Sequence, residues 1–197
     1  KPRVGLGVGM FTFYGDVASN HQGYHPTVSK LGYDLSITNP LTDYLDIKFY
    51  AMMGTVGANE RTLTRNLNFQ SDITTGGFVI NYNFSHMLKP KRAIDPYIGI
   101  GVESVEFLSK TDLYDANGNF YYYWSDGTIR DMDENAMGAE TLANQIYRDY
   151  TYETDLRELN LDTVGKYPER TIAFPLQIGA TMNLGDRVKF RIGTSMH

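Results

Sequence analysis

The chain has 197 residues and a net charge of −5; 42% of it is apolar, 13% aromatic and 21% charged, with 19 Gly, 15 Tyr, 10 Phe and no Cys. That length suits one domain or slightly more. No apolar run approaches the ~18 residues of a spanning helix, the missing thiols exclude a disulfide scaffold or a Cys-ligated metal, and an acidic balance without a basic run argues against nucleic acid as a partner.

From the N-terminus, Val4, Leu6, Val8 and Met10 alternate with Gly5, Gly7 and Gly9. Period two predicts a strand, since a helix would scatter these glycines around its surface at a cost in stability. The pattern returns in Leu31–Thr38, Leu45–Met53, Gly77–Phe84, Ile98–Glu103, Ile172–Leu184 and Val188–Gly193, giving seven predicted strands whose alternating runs are 6–13 residues long. Soluble strands average ~5–6 residues, whereas a tilted membrane-crossing strand needs ~9–11.

The links between these strands sort by parity. Turns at residues 39–43 and at Gly185-Asp186 are short, and 85–95, with Lys89, Lys91 and Arg92, is intermediate. The links at about 18–28, 57–67 and 109–169 are long. Short turns at one end and long loops at the other are the pattern of outer-membrane barrels. Charge sorts likewise: residues 110–169 carry 13 Asp/Glu against 5 Lys/Arg, about −8, and the remainder carries 10 against 13, about +3.

Alternation alone does not say which face is inside. The small and polar face holds Gly5, Gly7, Gly9, Asn81, Asn83 and Gln177, and the charged Asp34, Asp46, Lys48, Glu103, Lys189 and Arg191, which are predicted to line the lumen. A small barrel fills its interior with side chains, and opposite charges can pair there. The Leu, Ile, Phe, Tyr and Met face would then be the lipid band, with Tyr44, Phe84 and Tyr97 near the turn ends as an aromatic girdle. A soluble ligand-binding barrel would instead turn that apolar face into its pocket.

The predicted organisation is therefore barrel strands 1–5 over residues 1–108, an extracellular cap over 109–169, and barrel strands 6–7 over 170–197. The fold class expected is all-β: an antiparallel up-and-down transmembrane β-barrel of about eight strands, seven of them visible, with a small α+β cap. Single-chain bacterial barrels generally have an even strand number, so the sequence is expected to stop before barrel closure. No signal peptide precedes Lys1, so either the chain is cytosolic or a targeting segment has been removed; for an outer-membrane barrel the second is expected, an exported protein whose signal peptide has been cleaved.

Within the cap, Leu113–Trp124 predicts a hairpin whose Asn117-Gly118 would form a type I′ turn. Ser125-Asp126-Gly127 predicts another turn, and Ala136, Ala139, Leu142, Ala143 and Ile146 have helical spacing, with Asp133 as the N-cap. Asp115, Asn117 and Asn119 also match the start of a calcium loop and form the candidate Ca²⁺ site, although Phe120 stands where that loop has Gly and no Glu follows at its twelfth position. Asp131, Asp133 and Glu134 offer a second acidic cluster. His21 and His25 lie in a Gly/Pro-containing stretch unsuited to an i,i+4 metal pair, and Ser36, Asp34 and His86 are not spaced as a catalytic triad. No enzymatic activity and no cofactor other than Ca²⁺ is expected.

Four stretches carry a family resemblance: Gly7-Val8-Gly9-Met10 through Tyr14-Gly15-Asp16-Val17, Arg65–Ser71, Tyr82-Asn83-Phe84, and Pro96-Tyr97-Ile98-Gly99-Ile100-Gly101. Together they resemble outer-membrane barrels of the Bacteroidota. Those include the PorG-like barrel of the type IX secretion apparatus and OmpA-family N-terminal barrels fused to calcium-binding repeats. The insertion, from Thr111-Asp112 through Tyr122-Tyr123-Trp124 to Lys166-Tyr167-Pro168, looks more like the second group. The resemblance implies a structural or anchoring role in the cell envelope, with outer-membrane lipid or lipopolysaccharide and other envelope proteins as partners. Lys89, Lys91 and Arg92 are the expected contacts to a partner or to headgroups. The alternatives are a small porin or transport-associated channel and, further off, the soluble ligand-binding barrel.

Overall fold

The computed structural model describes residues 1–17, 29–62, 65–88, 93–160, 165–185 and 188–197. It is mostly antiparallel β, 59% strand and 7% helix. The strands are β1 (Arg3–Phe11), β2 (Lys30–Pro40), β3 (Leu45–Arg61), β4 (Asn66–Asn83) and β5 (Ile94–Thr111); the pairs β6 (Tyr122–Tyr123), β7 (Ile129–Arg130) and β8 (Thr154–Asp155); then β9 (Arg170–Ala173), β10 (Leu176–Asn183) and β11 (Lys189–Met196). Two single-turn helices, α1 (Ala139–Leu142) and α2 (Leu156–Leu159), lie in the insertion.

Strands β1-β2-β3-β4-β5-β10-β11 pair in that order, each antiparallel to the next, and the sheet curls into a half-barrel. Register puts the two phases of the alternation on opposite faces. Val4, Leu6 and Val8 of β1 stand opposite Ile37, Leu35 and Tyr33 of β2, while Gly5 and Gly7 stand opposite Ser36 and Asp34. The first set is largely exposed, Leu6 at 85% and Val4 at 75%. Ile100 and Ile178 are exposed as well, whereas Ser36, Asp46, Thr75, Asn81, Glu103, Gln177 and Thr181 are buried. The sheet is apolar on its convex face and polar on its concave face.

The convex apolar surface has a defined height. On β3 it runs over Leu45, Ile47, Phe49, Ala51 and Met53, paired with Tyr82, Ile80, Phe78, Gly76 and Thr74 of β4. Two residues further, Thr55 donates to Asp72 across the same pair (3.1 Å). At ~3.3 Å per residue, the nine residues of this stretch extend about 30 Å along the strand. Tyr44, Tyr82, Phe84 and His86 gather at its short-turn end, where the Tyr82 hydroxyl and His86 Nε2 are 3.0 Å apart.

Several elements differ from expectation. The 57–67 link is not a long loop: β3 runs to Arg61 and β4 starts at Asn66, because the period-two pattern continues in polar residues such as Asn59 and Asn68 once the apolar phase ends. The sixth predicted strand is broken into β9 and β10 at Phe174-Pro175. Pro has no N–H for the ladder, although the Pro175 carbonyl still accepts from Gly101 N (3.2 Å). Tyr97 is not part of a girdle. It is 6% exposed and turned onto the concave face, where its hydroxyl lies 2.7 and 2.8 Å from where a Cβ would project at Gly179 and Gly193. Those two glycines leave the space that the ring tip needs.

In the cap, the Asp115–Asn119 turn forms, but only Gly118 has a positive φ (83°), not Asn117. Gly118 N donates to Asp115 O and Asp115 N to Asn119 O (both 2.9 Å), a type I turn with a Gly bulge rather than type I′. Gly127 repeats the arrangement at Ser125-Asp126-Gly127, with φ 83° and Trp124 N donating to Thr128 O. The helix predicted over Asp133–Tyr147 shrinks to α1, capped by Gly138 rather than Asp133. The Asp133 carboxylate instead accepts from Asn135 N (2.8 Å), and Asn144 is pulled away by Asp131, which accepts from its N–H and side-chain amide (2.8 and 2.9 Å). Local Asx bonding competes with helix propagation.

Candidate functional site: the concave face and its mouth

Three polar clusters line the concave face. Lowest, beside the short turns, Asp46 of β3 accepts from the side-chain amides of Asn81 (2.7 Å) and Asn83 (3.0 Å) on β4, and Arg191 of β11 reaches it at 3.4 Å. The Arg191 guanidinium also lies over the Tyr97 ring, 4.4 Å from its centroid. In the middle, Lys48 of β3 pairs with Asp34 of β2 at 3.1 Å, and Ser36 donates to the same carboxylate (3.2 Å). Deepest, Glu103 of β5 accepts from Tyr50 of β3 (2.7 Å) and Thr75 of β4 (3.0 Å), and His197, just past β11, meets it at 2.6 Å.

These contacts tie β3 to β5 and β11 across the concavity. A buried charge is tolerated when it is paired and its remaining hydrogen-bonding capacity is met, and Asp46 and Glu103 each have three partners. Lys189 lies apart from the clusters. It lines a cavity of about 920 Å³ at the short-turn end together with Lys1, Arg3, Asp43, Asp46 and Arg191. All six charged residues singled out on the polar face therefore lie on the concave side or at its mouth. Sequence reasoning missed Tyr50, Thr75, Tyr97 and His197. Tyr50 and Tyr97 were legible in principle: each falls on the polar phase of its strand.

The insertion packs on the outer halves of β3, β4 and β5. Asn68 of β4 donates to Asp112 O (3.1 Å) and accepts from Asp112 N (2.8 Å). Asp112 is 1% exposed and its Oδ2 accepts from Tyr150 N (3.1 Å), while Oδ1 has no partner among the described residues. Burial, reinforced by the neighbouring Asp149 carboxylate, pushes the Asp112 carboxyl up to about 6. Burial likewise pushes the Tyr121 phenol up to about 12.

The Asp115, Asn117 and Asn119 trio is assembled as a turn. The Asp115 carboxylate accepts from the backbone N–H of Asn117 and Asn119 (2.9 and 2.8 Å) and from the Asn119 amide (2.9 Å), which hold it below the usual carboxylate range. Glu134 is likewise engaged, accepting from Ser125 N and Oγ (3.0 and 2.5 Å). Among the described residues no cluster of three or more His, Asp or Glu is arranged to hold a metal. Lys89, Lys91 and Arg92, with His21 and His25, lie outside the described residues. His86 packs among Tyr44 and Tyr82, away from Ser36 and Asp34.

Comparison with protein-family models, with curated proteins and with solved structures found no match.

Proposed function

We propose that this chain is the barrel portion of a bacterial outer-membrane protein, with a structural or anchoring role in the envelope and a folded cap outside. One observation carries the reading: the half-barrel is apolar on its convex face and polar within. In water that arrangement exposes a continuous band of Val, Leu, Ile and Phe far larger than soluble monomers tolerate. In a bilayer it is the expected one, and the nine-residue length of the apolar stretch on β3 matches the ~9–11 residues that a tilted strand needs to cross. A soluble ligand-binding barrel would bury this face.

A structural role is favoured over a channel because polar side chains fill the concave face at three levels, and at two of them contacts between non-neighbouring strands, Asp46 with Arg191 and Glu103 with Tyr50 and His197, cross it. The envelope assembly suggested by the resemblance, of type IX or OmpA-like kind, is the context in which such a barrel would anchor a partner. The channel is the second reading, and the 920 Å³ cavity at the short-turn mouth is what favours it. Planar-bilayer recording separates the two. A flat trace from folded protein, verified by a heat-modifiable gel shift, agrees with the structural role; stepwise ohmic currents would replace it with the channel.

A further inference from the structure

The three concave clusters differ in what they set against their carboxylates. Asp46 and Asp34 meet the cations of Arg191 and Lys48. Glu103 meets an imidazole, and that imidazole has a hydroxyl on its far side. His197 Nδ1 lies 2.6 Å from Glu103 Oε1, and His197 Nε2 lies 2.7 Å from Ser195 Oγ. Period two places the pair: Ser195 follows Arg191 and Gly193 on the concave phase of β11, opposite Gln177 of β10, and His197 is the next residue of that phase. Glu103 arrives from β5, 94 residues before His197, through the curl of the sheet.

We propose that Ser195, His197 and Glu103 are the nucleophile, base and orienting group of a hydrolase acting on short-chain carboxylic esters. The contacts run in the order this chemistry requires, hydroxyl to imidazole and imidazole to carboxylate. An ionised carboxylate only accepts, so the neutral imidazole carries its proton on Nδ1 and turns the lone pair of Nε2 to the Ser195 hydroxyl. The Glu103 side chain is fully buried, and its second oxygen accepts from Tyr50 (2.7 Å) and Thr75 (3.0 Å). Groups on β3 and β4 therefore fix the carboxylate, and through it the plane of the ring. Ser195 is exposed, so the nucleophile is open to substrate while its orienting group is not.

Ser195 Oγ adds to the ester carbonyl carbon as its proton passes to His197 Nε2. The oxyanion so formed takes a hydrogen bond from the side-chain amide of Gln177, which stands across the ladder from Ser195 and has no side-chain partner among the described residues. Collapse breaks the bond to the alkoxy oxygen, which leaves as the alcohol with the proton from Nε2. Water, deprotonated by the same nitrogen, then releases the carboxylic acid from acylated Ser195. Glu103 holds the Nδ1 proton in place throughout and is a positioning residue. Gln177 and the Tyr50 and Thr75 hydroxyls make the surroundings polar, which suits a short acyl group and not an alkyl chain. The constellation uses the concave face alone, so it is independent of whether the convex face meets lipid.

The full chain, its folding verified by near-UV circular dichroism, is assayed against p-nitrophenyl acetate, butyrate and palmitate, and is treated separately with a fluorophosphonate that labels activated serines. The expected result is saturable hydrolysis of the acetate or butyrate in preference to the palmitate, with the label on Ser195 by peptide mass spectrometry. Ser195→Ala loses both, and in His197→Ala kcat falls about 10²-fold or more. In Glu103→Gln kcat per folded molecule falls with KM unchanged, whereas a purely structural carboxylate would change only the folded fraction. Hydrolysis no faster than that of Ser195→Ala, a label on another residue, preference for the palmitate, or an unchanged kcat in folded Glu103→Gln would overturn the proposal.

Discussion

The half-barrel and the cap distribute their residues in opposite ways. In the cap, Tyr121, Trp124, Ile129 and Ala139 are at most 8% exposed, and Asp126 and Asp133 are exposed. This is the order that water imposes on a small folded unit. In the half-barrel, Glu103, Asp46 and Asn81 are at most 2% exposed, while Leu6, Val4 and Ile178 stand 85%, 75% and 58% exposed. One chain builds both arrangements, and the change occurs along single strands: β3 passes from Phe49 and Met53 to Thr55 and Asn59 on the same face.

Substitutions separate the two regions. The largest effect is expected from Asp46→Ala, which strands Arg191 and two side-chain amides in the interior. Loss of one partner of a buried pair costs about 3–5 kcal/mol, read from urea unfolding in detergent. Ile129→Ala in the cap core is expected to cost about 2–5 kcal/mol, measurable in near-UV circular dichroism and indifferent to the surrounding lipid. Ile100→Arg on the convex face is expected to cost about 2–4 kcal/mol when folding occurs into a bilayer. A cost within ~0.5 kcal/mol, usual for an exposed site in water, would remove the contrast.

The junction between the two regions is expected to depend on pH. The folded-state pKa of Asp112, about 6, lies above its ordinary value, so the folded form binds the proton more tightly than the unfolded one. The stabilisation is complete below about pH 4 and is lost as pH rises through about 6. Amide exchange at Tyr150 is expected to speed up over that interval, and Asp112→Asn to flatten the dependence. The smallest effect belongs to Gly118→Ala. No neighbour crowds a Cβ there, yet φ is 83°, so the backbone conformation alone costs about 1 kcal/mol.

The strands and their faces were legible because alternation is a local property: the register that sets Val4 opposite Ile37 and Gly5 opposite Ser36 follows from period two. The outer ends were not. Beyond Met53 and Thr74 the convex phase turns polar at Thr55, Asn59, Asn68 and Asp72 while Val56, Ala58, Phe69 and Ile73 put apolar residues on the other phase, so 57–67 reads as loop although the ladder continues to Arg61 and Asn66. The cap helix failed for a different reason, since apolar spacing says nothing of the competing bonds that Asp131 and Asp133 make with Asn144 and Asn135. The concave clusters were half legible. Asp46 and Glu103 announce themselves as charges in apolar strands, but His197 reaches Glu103 only through the curl of the sheet, a long-range feature that no local pattern carries.

A convex face in lipid and a cap in water are distinguished by depth-resolved fluorescence quenching. Trp124 reports from the cap of the parent protein; Ile100→Trp in a Trp124→Phe background reports from the convex face. In vesicles of phosphatidylcholine brominated along its acyl chains, strong quenching is expected at position 100 and none at Trp124. Equal emission at position 100 in brominated and ordinary vesicles, from protein shown to be folded, would contradict it.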